Sequence, residues 1–218
     1  MAFDAASGKG LLFDLDGTLI DSSGDLILSG NWVRRREGLP DLEPARVAGY
    51  IGDGMEALVR RLLERPEGEV RESVEAFMGH YHEHCLDTTR LYPGVEATLR
   101  SLEGRGYGLA VVTNKPERLS RRILEGLGVA GLFGAILGGN SCAHKKPHPE
   151  PLWKACTALK AEAGSCRMIG DSRVDVEAAR NAGMPSIAVL GGIGDQDLLR
   201  QSGPDQIVEC FEQLLEIC

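Results

Sequence analysis

Short apolar runs recur along this chain and alternate with segments of helical spacing. The first run, residues 10–15, is interrupted by Asp14 and stops in Asp14-Leu-Asp-Gly-Thr18, the pattern of a buried strand ended by a turn. From about residue 21 to 90 the character changes. Arg and Glu fall at helical intervals, as in Met55-Glu-Ala-Leu-Val-Arg-Arg-Leu-Leu63 and across 71–85, with Pro40, Pro44 and Pro66 as breaks. No β-rich run stands out there, so about four helices are expected. After Pro93-Gly94, helices expected at 95–104, 116–127, 150–159 and 174–182 alternate with strands at 108–113, 135–138, 168–171 and 186–190. A weak strand at 206–208 and a terminal helix follow.

Strands that alternate with helices after this fashion build a parallel sheet covered on both faces. The expected fold is therefore α/β: a doubly wound, Rossmann-like core with an all-helical domain inserted after the first strand. The core is assigned to residues 1–20 and 91–218 and the insertion to 21–90. Ligands of open α/β sheets bind beyond the carboxyl ends of the strands. Polar clusters stand at three such ends: 14–18, Thr113-Asn114, and 171–175. A fourth, Lys145-Lys146-Pro147, precedes a helix.

Composition narrows the function more than the fold. With 24 Lys and Arg against 32 Asp and Glu the net charge is −8, which gives no electrostatic reason to expect nucleic acid or an anionic membrane as partner. No apolar stretch is long enough for a signal-peptide core or a spanning helix. Six cysteines without a C-x-x-C pair in a chain of 218 residues argue for reduced thiols in a cytoplasmic protein, with Cys156 and Cys166 in the core. A monomer or small homo-oligomer is compatible with the acidic charge.

Asp14 and Asp16 are two residues apart, so an extended backbone points both the same way, with Cα atoms about 6.5–7 Å apart. Such a pair can bind a divalent cation or divide nucleophile and acid/base roles. Asp171 ends a later strand and can join the same cation, while Asp175 falls in the first turn of the next helix, where the dipole favours a carboxylate. Oxygen donors without His or Cys suit Mg²⁺. Thr113, Asn114 and Lys146 could neutralise a phosphoryl group beside a carboxylate nucleophile.

These four strings, Phe13-Asp-Leu-Asp-Gly-Thr-Leu-Ile-Asp-Ser22, Val111-Val-Thr-Asn-Lys-Pro116, Lys145-Lys-Pro-His-Pro-Glu-Pro-Leu152 and Gly170-Asp-Ser-Arg-Val-Asp-Val-Glu-Ala-Ala179, resemble in order the motifs of the haloacid dehalogenase-like hydrolases. With Tyr50-Ile-Gly-Asp-Gly-Met-Glu-Ala-Leu58 in the insertion, the chain is most similar to the bacterial phosphoglycolate phosphatases of that superfamily. The resemblance implies a phosphate-monoester hydrolase acting on a small phosphorylated metabolite, 2-phosphoglycolate in the first instance. Sugar and nucleotide monophosphates or pyrophosphate are the alternative substrates, and a non-catalytic phosphate-binding protein is a remote one. It implies Asp14 as the nucleophile that becomes an aspartyl phosphate, Asp16 as general acid and then base, and Thr113 with the Asn114 backbone as phosphate clamp. Lys146 would offset the anions. Mg²⁺ would be held by the Asp14 carboxylate, the Asp16 main-chain carbonyl and Asp171, with Asp175 in support. The insertion would be a cap, and Gly52-Asp53-Gly54 its loop reaching the substrate. Among the arginines Arg34, Arg35, Arg46, Arg60 and Arg61, one is expected to meet a substrate carboxylate.

Two weaker signals are set aside. Gly126-Leu-Gly-Val-Ala-Gly131 fits a dinucleotide pattern but follows a helix and precedes a strand, the reverse of the context it needs. His80, His82, His84 and Cys85 suggest a soft-metal cluster, yet only His80 and His84 share a helix face.

Overall fold

Leu11, Leu12 and Phe13 are all buried, although their side chains alternate between the two faces of their strand. A strand reads this way only when both faces of its sheet are covered. The computed structural model describes residues 8–218; residues 1–7, the start of the expected core segment 1–20, lie outside the described residues. Strands β1 (Gly10–Phe13), β4 (Gly108–Val112), β5 (Ala135–Leu137), β6 (Cys166–Gly170), β7 (Ser186–Val189) and β8 (Gln206–Val208) form one six-stranded sheet in the order β5-β4-β1-β6-β7-β8. All of its pairings are parallel.

Period two sorts the core. Leu11, Phe13, Leu109, Val111, Ile169 and Ile187 face one layer, joined by Val95, Leu99 and Leu102 of α5 (Val95–Gly104) and Leu119, Ile123 and Leu124 of α6 (Glu117–Gly126). Leu12, Ala110, Val112 and Met168 face the other. There they meet Leu152, Ala155 and Cys156 of α7 (Glu150–Leu159) and Ala178, Ala179 and Ala182 of α8 (Arg173–Ala182). Cys156 and Cys166 are buried here. The chain ends in α9 (Gln196–Gln201) and α10 (Leu214–Ile217). Helix α9 was not expected: it is six residues long, buries only Leu199, and starts where Asp195 accepts from the N–H groups of Asp197 and Leu198.

Between β1 and β4 lie α1 (Ser23–Arg36), α2 (Pro44–Ala48), α3 (Met55–Leu62) and α4 (Arg71–His84), which pack on one another. The two chain crossings into this helical layer are themselves paired, which the sequence pattern did not reveal. β2 (Ile20–Asp21) and β3 (Arg90–Leu91) form a two-stranded antiparallel ribbon. Buried Asp25 bolts the crossings together: Oδ1 accepts from the N–H and hydroxyl of Thr88 at 2.9 and 2.5 Å, and Oδ2 from those of Thr89 at 3.0 and 2.7 Å.

The sheet order determines where a ligand can sit. From β1 the chain turns first toward β4 and β5, and later toward β6, β7 and β8. The reversal leaves a crevice beyond the carboxyl end of β1. Phe13 is level with Val111 and with Ile169, so Asp14, Thr113 and Asp171 all emerge within two residues of the same edge. The strands stop one or two residues short of the expected ends, although Asp14, Thr113 and Leu190 each still donate one backbone hydrogen bond to the neighbouring strand.

Candidate active site

Asp14 continues the ladder for one bond, its N–H donating to the Ile169 carbonyl at 2.9 Å. Its side chain then leaves the sheet into a buried acidic cluster. Carboxylate oxygens of Asp14, Asp171 and Asp175 lie within 4.8 Å of one another. Lys146 answers them: its Nζ is 2.9 Å from Asp14 Oδ1 and 2.6 Å from Asp175 Oδ1. One buried cation against three buried carboxylates leaves the cluster short of positive charge. Burial, opposed by Lys146 and reinforced by Asp175, raises the Asp14 carboxyl to about 6. Burial, then Asp14 and Asp175, raise Asp171 to about 8. For Lys146 burial pulls downward, but Asp14 and Asp175 outweigh it and the ammonium titrates above the ordinary lysine range.

The donor set fits a Mg²⁺ ion. It is buried, made of carboxylate oxygen, and under-neutralised, which a hard divalent cation would correct. Asp175 has the least to offer it directly. Its Oδ1 is taken by Lys146, and its Oδ2 by the Ser172 N–H and hydroxyl at 3.2 and 2.6 Å in a capping box at the start of α8. Asp171 is oriented by the Thr18 hydroxyl at 2.8 Å and the Gly194 N–H at 2.9 Å.

Glycines let the backbone close on Asp171. A Cβ at Gly17, where φ is +88°, would lie 2.0 Å from Asp171 Oδ2, and one at Gly192 would lie 2.4 Å from the same atom. The tract Gly191-Gly-Ile-Gly194 was not read as part of the site. Its signal was the glycine density after a strand end.

Asp16 stands apart from the acidic cluster and has its own partners. Lys115 Nζ donates to its Oδ1 at 2.6 Å and Oδ2 at 2.8 Å, and the Ser22 hydroxyl donates to Oδ1 at 2.5 Å. Lys115 is buried, with its ammonium 4.9 Å from the ring centroid of Tyr81 on α4. Burial pulls Lys115 down, yet Asp16 and then Tyr81 raise it further, above the usual lysine range. Neither Lys115 nor Ser22 was singled out from sequence. Both sit inside the quoted strings, but nothing in their spacing says which carboxylate they meet.

Asp14, Asp16, Thr113, Asn114 and Lys115 form one wall of a cavity of about 20 Å³. Ile51, Gly52, Gly54, Met55 and Leu58, from the helical layer, form the other. Asn114 Nδ2 ties the walls together by donating to the carbonyls of Gly52 at 3.1 Å and Lys146 at 3.0 Å. Its Oδ1 is buried with no hydrogen-bond partner among the described residues. The loop expected to reach the site does so through Gly52 and Gly54. The Asp53 side chain does not, for its carboxylate pairs with Arg61 and its carbonyl accepts from Lys145 Nζ.

The arginines put forward for a substrate carboxylate are engaged elsewhere. Arg34 is buried against the carbonyls of Pro40 and Leu62. Arg35 pairs with Asp41, Arg46 with Glu64 and Arg60 with Glu56. None of the five lines the cavity. Arginine on a solvated helix face finds a carboxylate of its own at i+4 or across a turn, and sequence cannot separate that from a binding role.

Comparison with known proteins places these features in a family context. The model of the family described as haloacid dehalogenase-like hydrolase matches residues 11–189. A phosphoglycolate phosphatase of Haemophilus influenzae is 38% identical over 214 residues, covering 94% of this chain and 96% of its own. One of Chromobacterium violaceum is 39% identical over 215 residues, with 96% of each chain covered. Among solved structures, one described as a predicted phosphoglycolate phosphatase from Haemophilus somnus superposes with a TM-score of 0.90 at 35% identity, over 96% of this chain and 97% of that one. No helix among the described residues is long and apolar enough to cross a membrane.

Proposed function

The chain belongs to the haloacid dehalogenase-like hydrolases, as a phosphatase of that family, and we propose that it hydrolyses 2-phosphoglycolate through an aspartyl phosphate on Asp14. The observation that carries the mechanism is the pair of carboxylates Asp14 and Asp16 on one wall of one cavity, each with its own lysine. The substrate rests on the relatives, which carry the name phosphoglycolate phosphatase at nearly 40% identity over almost the whole chain.

In this reading an Asp14 carboxylate oxygen attacks phosphorus. The bond from phosphorus to the ester oxygen breaks, and that oxygen leaves with the electron pair and takes a proton from Asp16. Water then attacks the phosphoryl group, gives a proton to Asp16, and releases Asp14 as a carboxylate. Thr113, the backbone of Asn114 and Lys146 offset charge on the phosphoryl oxygens. Asp14, the Asp16 main-chain carbonyl and Asp171 would hold Mg²⁺, supported by Asp175. When bound, the ion would neutralise charge shared by nucleophile and phosphoryl group.

The helical segment 21–90 would act as a cap on the core formed by 1–20 and 91–218. A cavity of about 20 Å³ holds about one water, so a phosphate ester enters only when the wall of Gly52, Gly54 and Met55 withdraws. Closure would expel water around the developing charge. We place the protein in the cytoplasm, as a monomer or small homo-oligomer.

Phosphate release from 2-phosphoglycolate, pyrophosphate and a set of sugar and nucleotide monophosphates, with and without Mg²⁺, tests this. Strong preference for 2-phosphoglycolate with Mg²⁺ is expected. Equal rates on all esters would remove the substrate and leave the mechanism. Turnover retained by Asp14→Asn would remove the mechanism.

A further inference from the structure

We propose that Lys115 is a positioning residue for Asp16, acting on breakdown of the aspartyl phosphate and seated by Tyr81 of α4. The inference rests on the role given to Asp16 above.

The geometry is a two-point grip. One ammonium donates to both oxygens of Asp16, at 2.6 and 2.8 Å, and the Ser22 hydroxyl adds a third bond at 2.5 Å. A carboxylate held at both oxygens cannot rotate about its Cβ–Cγ bond without breaking a charge-assisted bond. The ammonium is itself held. The neighbouring backbone is pinned on both sides, the Lys115 N–H donating to Thr113 Oγ1 at 3.2 Å and the Gly139 N–H donating to the Lys115 carbonyl at 2.9 Å. The Tyr81 ring stands 4.9 Å from the ammonium, close enough for a cation–π contact, which strengthens away from water. Both Lys115 and Tyr81 are fully buried.

The direction of the effect follows from hydrogen-bond chemistry. An ammonium on both oxygens lowers the basicity of Asp16 but holds it deprotonated and in one orientation, the form that attack of water requires, and it gives no help to a carboxyl that must donate. Of the two half-reactions assigned to Asp16, only attack of water needs an acceptor. Tyr81 comes from the helical layer and Lys115 from the core, so the grip is complete only while α4 lies against the core.

Acetyl phosphate isolates that half. Acetate leaves phosphorus with its bonding pair and needs no proton, so formation of the aspartyl phosphate is independent of Asp16. Lys115→Met is expected to lower steady-state turnover of acetyl phosphate about 100-fold, within the range for a positioned proton acceptor. The first acetate per chain should still appear within about 3-fold of the parent rate, and phosphorylated chain should accumulate, visible by mass spectrometry of quenched protein. A fall in turnover without accumulation, or unchanged turnover, overturns the proposal. If circular dichroism shows Lys115→Met unfolded, Tyr81→Leu takes its place. It should give the same accumulation with a loss of about 5-fold, and its absence there overturns the proposal equally. A parent chain that releases phosphate from neither acetyl phosphate nor 2-phosphoglycolate overturns the reading of the site itself, and this inference with it.

Discussion

Lys146 Nζ lies 2.9 Å from Asp14 Oδ1 with both side chains buried, and the same nitrogen is 2.6 Å from Asp175. Neutralising the lysine would leave buried Asp14 and Asp175 without their shared counter-charge. Removing one partner of a buried charge network costs about 3–5 kcal/mol. Lys146→Met should therefore lose about that much stability at neutral pH without Mg²⁺, read from urea unfolding midpoints. The loss should shrink at pH 5, where protonation relieves the repulsion. A uniform loss at both pH values would mean that packing of the lysine stem, and not its charge, is what matters.

Asp14 and Asp171 give the metal-free chain an unusual pH dependence. Their carboxyls are raised to about 6 and about 8, above the unfolded value near 3.8. Between pH 4 and 8 the folded state holds protons that the unfolded state has released, so stability is greatest at the acid end and falls as pH rises through 6 and 8. Mg²⁺ held as proposed would need these groups ionised and so would release protons on binding. Saturating Mg²⁺, at about a hundred times its dissociation constant, should raise the melting temperature by about 5–10 °C at pH 8. At pH 5 the rise should be much smaller. Calorimetry at the two pH values checks both signs.

Gly192 faces Asp171 so closely that a Cβ would lie 2.4 Å from Oδ2 and 2.4 Å from the Gly17 carbonyl. Neither neighbour is a flexible side-chain end, since Oδ2 is held by the Gly194 N–H. Gly192→Ala should push Asp171 aside and weaken Mg²⁺ activation by about 10–100-fold, as loss of an outer-shell partner does. The Mg²⁺ dependence of phosphate release measures it.

Asp25 joins the two crossings between sheet and helical layer with four hydrogen bonds from Thr88 and Thr89. Asp25→Ala leaves the buried donors of Thr89 unpaired, at a cost of about 1–3 kcal/mol, while exposed Thr88 turns to water. Proteolysis should then cut first near residues 88–90, because the ribbon of β2 and β3 loses its anchor. An unchanged digestion pattern would place the junction's strength elsewhere.

The α/β core and the four helices between β1 and β4 were legible in the sequence because both signals are local. The unbroken apolar run Leu11 to Phe13 and the 3.6-residue spacing of Leu119 and Ile123 reflect burial of a strand on both faces and of one helix face. The paired crossings were not legible. β2 and β3 are two residues each, too short to show a period, and they find one another across the whole helical layer. Helix α9 failed for a related reason: six largely exposed residues carry little hydrophobic pattern.

By itself the sequence determined the chemistry available: Asp14, Asp16, Asp171 and Asp175 as oxygen donors, Lys146 as counter-charge, and Thr113 and Asn114 at a strand end. Residue type and distance from a strand terminus are local properties. Only the tertiary structure decided who pairs with whom. It gave Lys146 to Asp14 and Asp175, and Lys115 to Asp16. It took Asp53 and the five arginines out of the cavity by giving them other partners. A charged side chain takes whichever partner the packed elements bring within about 3 Å. That proximity comes from sheet order and from the docking of α4 on the core, which no single stretch of sequence contains.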